Sequence, residues 1–197
     1  MKAEWGRVMN LRIRYIKDYF AQRKVRTVLV WAAEIALVIG LAAFLAFFFG
    51  QKVTMQEGSM EPTITAGEEL LVNKASYALG SPKRGDIIVF RNSEDEKSSL
   101  HIKRVIGLPG ETIQIRDGQI VIDGKTYIEE KEFPAIADPG LAEDEITLGT
   151  GEYFVLGDNR NSSEDSRHVD MGMVQKKNII GKLWLAVSPW KNFGFVK

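Results

Sequence analysis

One apolar anchor followed by a mostly β domain is the fold class this sequence predicts. Three observations carry it. Val28 to Phe49 runs 22 residues with a single charge, Glu34. Beyond it come short apolar runs bounded by turn residues, including Asp117-Gly118 and Asp123-Gly124. Long helical periodicity is weak after residue 50. The predicted division is a basic cytoplasmic segment over 1–27, a transmembrane anchor over 28–49 and an extracytoplasmic β-rich domain over 50–197.

The first segment is set apart by charge. Residues 1–27 hold eight Lys/Arg against Glu4 and Asp18, a net of +6. After residue 50 the chain has 18 basic and 23 acidic residues, a net of −5, so the overall zero hides a split. A nucleic-acid binder keeps its basic residues on the folded domain, and here they flank the apolar run, so nucleic acid is not an expected partner. There is no cysteine and there are two histidines, which excludes disulfides and Cys-based metal sites and argues against a His-rich metal site. Trp5, Tyr15, Tyr19 and Phe20 stand among the cations, a composition that suits either an interfacial helix on the inner leaflet or a solvated topology signal.

The anchor itself is long enough. Its 22 residues span roughly 33 Å at 1.5 Å each, against a bilayer core of about 30 Å. A cleaved secretory signal has a shorter apolar region and a small-x-small site; this run ends in Phe47-Phe48-Phe49. The flanking cations hold the N-terminus in the cytoplasm and send residues 51–197 outward. Glu34 reads as a tolerated charge near the cytoplasmic end, and Ala32, Ala36 and Gly40 form a ridge that could pack another helix.

The outer domain reads as strands. Glu69–Val72 and Asp86–Phe90 are short apolar runs between turn residues. Thr112–Arg116, Gln119–Ile122 and Lys125–Tyr127 are joined by the two Asp-Gly pairs, which favour type I′ turns and predict a three-strand meander. Leu100–Gly107, Tyr153–Leu156 and Ile179–Val187 supply further strands. Residues 92–99 read as an exposed loop. Residues 129–150, acidic and holding Pro134, Pro139 and Gly140, read as a connecting excursion.

The chemistry centres on Ser59. It lies at most about 36 Å of extended chain beyond the anchor. A serine hydroxyl is a weak nucleophile until a partner takes its proton. His101 could do so within a Ser-His-Asp arrangement, Lys103 could do so as a neutral amine, and Ser59 could equally be a turn serine. The period of two in a strand places His101 and Lys103 on one face and Ile102 and Arg104 on the other. A lysine turned inward loses water, which lowers its proton affinity.

Four segments together resemble the signature boxes of type I signal peptidases. Gly58-Ser59-Met60-Glu61-Pro62-Thr63-Ile64 is similar to the nucleophile box, and Arg84–Phe90 to a structural strand box. His101–Glu111 is similar to the lysine box, and Gly157–Arg167 to the terminal polar box. They stand in the family's order. The resemblance implies a serine protease domain with Ser59 as nucleophile and Lys103 as general base, and no metal or cofactor. It implies that Ser163 orients the lysine and that the Ser59 backbone amide supplies one oxyanion donor. Asp158, Asp165 and Arg167 would form ion pairs holding the polar box. Val53, Met55, Met60 and Ile64 would line shallow substrate pockets, or pack as core. The implied substrates are the signal peptides of preproteins, cut after small-x-small sites, with the lipid bilayer as a further partner and the protein-export machinery left open. Glu57 departs from the family pattern, where Gram-negative members carry a serine, and is expected to turn away from the oxyanion. His101 departs too, with packing its expected role. The aromatic residues Trp184, Trp190, Phe193 and Phe195 suit either a membrane interface or the sheet core.

Overall fold

The computed structural model describes residues 2–78, 80–93 and 98–196, with side chains from residue 24 onward. The side chains of Trp5, Tyr15, Tyr19 and Phe20, and residues 94–97 of the expected loop, lie outside the described ones. The chain divides into two compact units, Met1–Ala46 and Phe47–Lys197.

Helix α1 (Lys2–Phe49) is continuous. No glycine or proline falls between Gly6 and Gly40 to interrupt it. Its stretch Lys24–Phe49 is long and apolar enough to cross a membrane. Val28, Leu29, Trp31, Leu37 and Val38 are all exposed. A helix this apolar on every side, with no protein cover, suits a hydrocarbon surround.

The second unit is β-rich, as its residue pattern predicts. In chain order the strands are β1 (Gln51–Thr54), β2 (Glu69–Asn73), β3 (Ile87–Arg91), β4 (Leu100–Gly107), β5 (Thr112–Arg116), β6 (Gln119–Ile122), β7 (Lys125–Thr126), β8 (Ile146–Thr147), β9 (Glu152–Leu156), β10 (Val174–Gln175), β11 (Ile179–Ser188) and β12 (Gly194–Phe195). A short helix, α2 (Ala75–Ala78), follows β2. The larger sheet runs β1-β2-β11-β3-β4-β9-β10, with β12 paired to β11. The smaller sheet runs β7-β6-β5-β8. All pairings are antiparallel.

Strand β3 sits between β11 and β4, and its residues Ile87 to Phe90 are all buried. Its two faces serve different clusters. Ile87 and Val89 join Leu70, Val72, Ile102 and Leu183, while Ile88 and Phe90 join Val105, Tyr153 and Val155. A strand covered on both faces loses the alternation of a half-exposed one, which explains its unbroken apolar run. The meander forms the smaller sheet. Asp117 and Gly118 have φ of 51° and 73°, Asp123 and Gly124 of 50° and 74°, so both turns place two successive residues at positive φ. The expected excursion over 129–150 is more than a connector. Ile136, Ala142 and Leu148 from it are buried with Ile106, Ile113 and Phe154, and β8 extends the smaller sheet. At the C-terminus Trp190, Phe193 and Phe195 stay exposed, whereas Trp184 is partly covered beside Phe49 and Phe195.

Candidate active site

Ser59 sits in a single 3₁₀ turn, Gly58–Met60, just before Pro62. Met60 and Ile64 anchor this turn in the first core cluster. The backbone N–H of Ile64 donates to Met60 O at 2.9 Å, and that of Glu61 to Gly58 O at 3.2 Å. From the other side, Asn159 donates its backbone N–H to Ser59 O at 3.1 Å and its side-chain amide to Gly58 O at 3.2 Å. The nucleophile candidate is therefore fixed by backbone contacts at both ends. The cavity in front of it encloses about 760 Å³ and includes Glu57, Glu61, Asp138, Asn159, Ser163 and His168 in its walls.

Lys103 comes from β4, opposite Ile88 of β3. Its side chain is 1% exposed, and Nζ donates to Ser59 Oγ at 2.8 Å. Burial holds this amine below the ordinary lysine value; Glu57, Asp165 and Glu164 pull it upward and Arg167 pushes it down. Glu57 lies near the amine. Its Oε2 lies 3.9 Å from Lys103 Nζ, on a side chain 63% exposed. His101 is half-buried, with its ring 5.6 Å from that of Phe90. Burial first, then Lys103, lowers its imidazole, against the pull of Glu57 and Glu164.

The polar segment after β9 closes the site. Arg167 holds Asp165 with Nε–Oδ1 at 2.7 Å and Nη2–Oδ2 at 2.9 Å, and Asp165 in turn accepts the Gly157 N–H at 3.0 Å. Asp158 pairs elsewhere. It accepts two bonds from Arg104 of β4, at 2.7 and 2.6 Å, with both side chains buried. The Ser163 hydroxyl is buried and has no hydrogen-bond partner among the described residues. It presses on Gly157 instead: a Cβ there would collide with Ser163 Oγ and come within 2.5 Å of Ser59 O. Val53, Met55, Met60 and Ile64 are all in the first core cluster, and of the first nucleophile-box residues only Gly58, Ser59 and Glu61 reach the cavity.

Residues 28–188 match the protein family described as Signal peptidase, peptidase S26. The chain belongs to that family. Signal peptidase I T of Bacillus subtilis is 36% identical over 170 residues, covering 82% of this chain and 86% of that protein. Signal peptidase I of Bacillus licheniformis is 35% identical over 165 residues, covering 80% of this chain and 87% of that protein. A crystal structure of a signal peptidase I from Enterococcus faecalis aligns at 32% identity over 52% of this chain and 97% of that one, with a TM-score of 0.43. This peptidase is thus a hydrolase of the signal peptidase I kind, carrying an N-terminal apolar helix consistent with membrane anchoring.

Three features of the peptidase's site escape a reading of sequence alone. Arg104 was placed on the opposite face of β4 from Lys103, but nothing local assigns its partner Asp158, 54 residues away. A charge on the strand face that Arg104 shares with Ile102 is the signal that a buried partner exists. Asn159 supports the Ser59 turn only because β9 brings the polar box across it. The rim residues Ala137 and Asp138 come from the excursion; Asn161 donates to Ala135 O and accepts from the Ala137 N–H, and Arg167 donates to Asp138 O.

Proposed function

We propose that the peptidase removes N-terminal signal peptides from secreted preproteins, with Ser59 as nucleophile and Lys103 as general base. One observation carries the dyad: a buried amine and a buried hydroxyl stand 2.8 Å apart. An amine stripped of water favours its neutral form, and a neutral amine can accept the serine proton along that same line. Ser59 Oγ forms a bond to the peptide carbonyl carbon while its proton passes to Nζ. The ammonium then protonates the leaving amine as the peptide C–N bond breaks. Water opens the resulting ester, again giving its proton to Nζ, and the Ser59 hydroxyl is restored.

The surrounding residues take supporting roles in this reading. The Ser59 backbone amide supplies one donor to the developing oxyanion. Ser163, packed against Gly157 beside the Ser59 carbonyl, orients the lysine once the amine is charged. Asp165 with Arg167, and Asp158 with Arg104, keep the polar segment in place. Val53, Met55, Met60 and Ile64 pack as core behind the Ser59 turn and leave little room there, so that shallow subsites formed over them would favour small side chains one and three positions before the cut. The net +6 of residues 1–27 keeps the N-terminus cytoplasmic and the β-rich unit outside. Lipid, and the export machinery delivering preproteins, are the neighbours of that topology.

The test uses purified full-length protein in detergent and a precursor with an Ala-x-Ala site. Ser59→Ala and Lys103→Ala are each expected to lower kcat/KM by about 10³ or more, while His101→Ala retains most activity. Loss with His101→Ala and retention with Lys103→Ala would make the imidazole the base. Retention in all three would place the catalytic groups elsewhere, and no cleavage by the wild type would leave a non-catalytic tethered domain.

A further inference from the structure

Glu57 stands beside the dyad, and the family resemblance supplies no role for it. It precedes the Ser59 turn in extended conformation, with φ −116° and ψ 156°. Its carboxylate is the only one within 4.0 Å of Lys103 Nζ among the described residues. The other groups facing that amine are accounted for. Ser59 Oγ accepts from it, and Asp165 is held by both nitrogens of Arg167. Glu164 and Arg167 flank it from the polar segment, and His101 stands two residues before it on β4. A distance of 3.9 Å is too long for a hydrogen bond and short enough for strong attraction between charges.

We propose that Glu57 sets the proton affinity of the Lys103 base and stabilises the ammonium formed when Ser59 gives up its proton. This rests on the dyad reading above. Glu57 is a positioning residue here, acting on the reaction only through Lys103. Burial alone favours the neutral amine but leaves it a weak proton acceptor. A carboxylate at 3.9 Å restores part of that basicity. Because the carboxylate is open to solvent while the amine is not, the coupling reaches Lys103 from outside and is sensitive to salt. The same charge opposes an oxyanion, so its position beside the lysine, away from hydrogen-bond contact with Ser59 Oγ, is the arrangement that helps proton transfer.

The experiment is the pH dependence of kcat/KM for the full-length enzyme in detergent, with a short peptide bearing an Ala-x-Ala site. Lys103→Ala serves as the control. Glu57→Gln is expected to move the acidic limb down by about half a pH unit, roughly a threefold gain in rate on that limb. Glu57→Asp is expected to keep the wild-type position. Raising salt should move the wild-type limb toward that of Glu57→Gln and leave the variant's own limb still. A limb that stays in place in Glu57→Gln, whatever happens to kcat, overturns the proposal, as does an upward shift. Retained activity in Lys103→Ala sinks the dyad reading itself, whereas an inactive Lys103→Ala with an unmoved Glu57→Gln limb sinks only the role of Glu57.

Discussion

At the scale of single residues, Lys103 is a cost the fold carries. Its amine is buried and its folded proton affinity is depressed. The sign follows from linkage: the folded state binds fewer protons, so the penalty vanishes above the unfolded lysine pKa of about 10.4 and is complete below the depressed folded value. Lys103→Met is therefore expected to stabilise the protein by about 1–2 kcal/mol at neutral pH, with the gain shrinking as pH rises toward 10.4. Melting temperatures of both proteins across pH, alongside a loss of activity in the variant, check this. The buried pair Arg104–Asp158 behaves oppositely. Asp158→Ala strands a buried guanidinium, and a loss of about 3–5 kcal/mol is expected in denaturant unfolding. That Ser59 and Lys103 meet, at 2.8 Å, could be expected from the sequence because both stand within recognisable boxes. The need for Gly157 could not, since it comes from Ser163 and the Ser59 carbonyl, which only the folded chain brings against that residue.

Among the elements, legibility follows how local the cause is. The meander could be read because Asp117-Gly118 and Asp123-Gly124 specify their turns in two residues each, and both keep positive φ. The two-residue strands β8, β10 and β12 carry no such signature; β8 exists because Thr147 and Ile146 fall opposite Thr112 and Ile113. The burial of Ile136, Ala142 and Leu148 was equally invisible, since they are scattered through an acidic stretch without strand or helix period. The two turns also separate two causes of strain. A Cβ on Gly124 meets open space, so Gly124→Ala pays only for its φ of 74°, about 1 kcal/mol. A Cβ on Gly118 would lie 3.2 Å from Ala135 Cβ and from Ile136 O. Gly118→Ala must also displace the segment whose Ile136 N–H donates to Gly118 O at 3.0 Å. Thermal unfolding should show the larger loss for Gly118→Ala, and equal losses would mean the excursion yields freely.

For the whole molecule, the reading of a membrane enzyme makes the C-terminal aromatics significant. Trp190 and Phe193 stack with ring centroids 5.1 Å apart, and Trp190 is 82% exposed. Phe195 is exposed as well, and Lys191 lies between the stacked pair in sequence. Exposed aromatic rings beside a cation match the composition of a lipid interface, where an amphipathic ring gains apolar cover while its edge stays wet. Such a contact would orient the active site at the bilayer. Orientation matters only when the scissile bond is itself held at the bilayer. The paired change Trp190→Ala with Phe193→Ala is therefore expected to slow cleavage of a vesicle-embedded precursor by roughly fivefold. Cleavage of a short soluble peptide in detergent should stay at the wild-type rate. Equal slowing of both substrates would place the aromatics in the folding of the domain, and no slowing of either would remove lipid contact from their role.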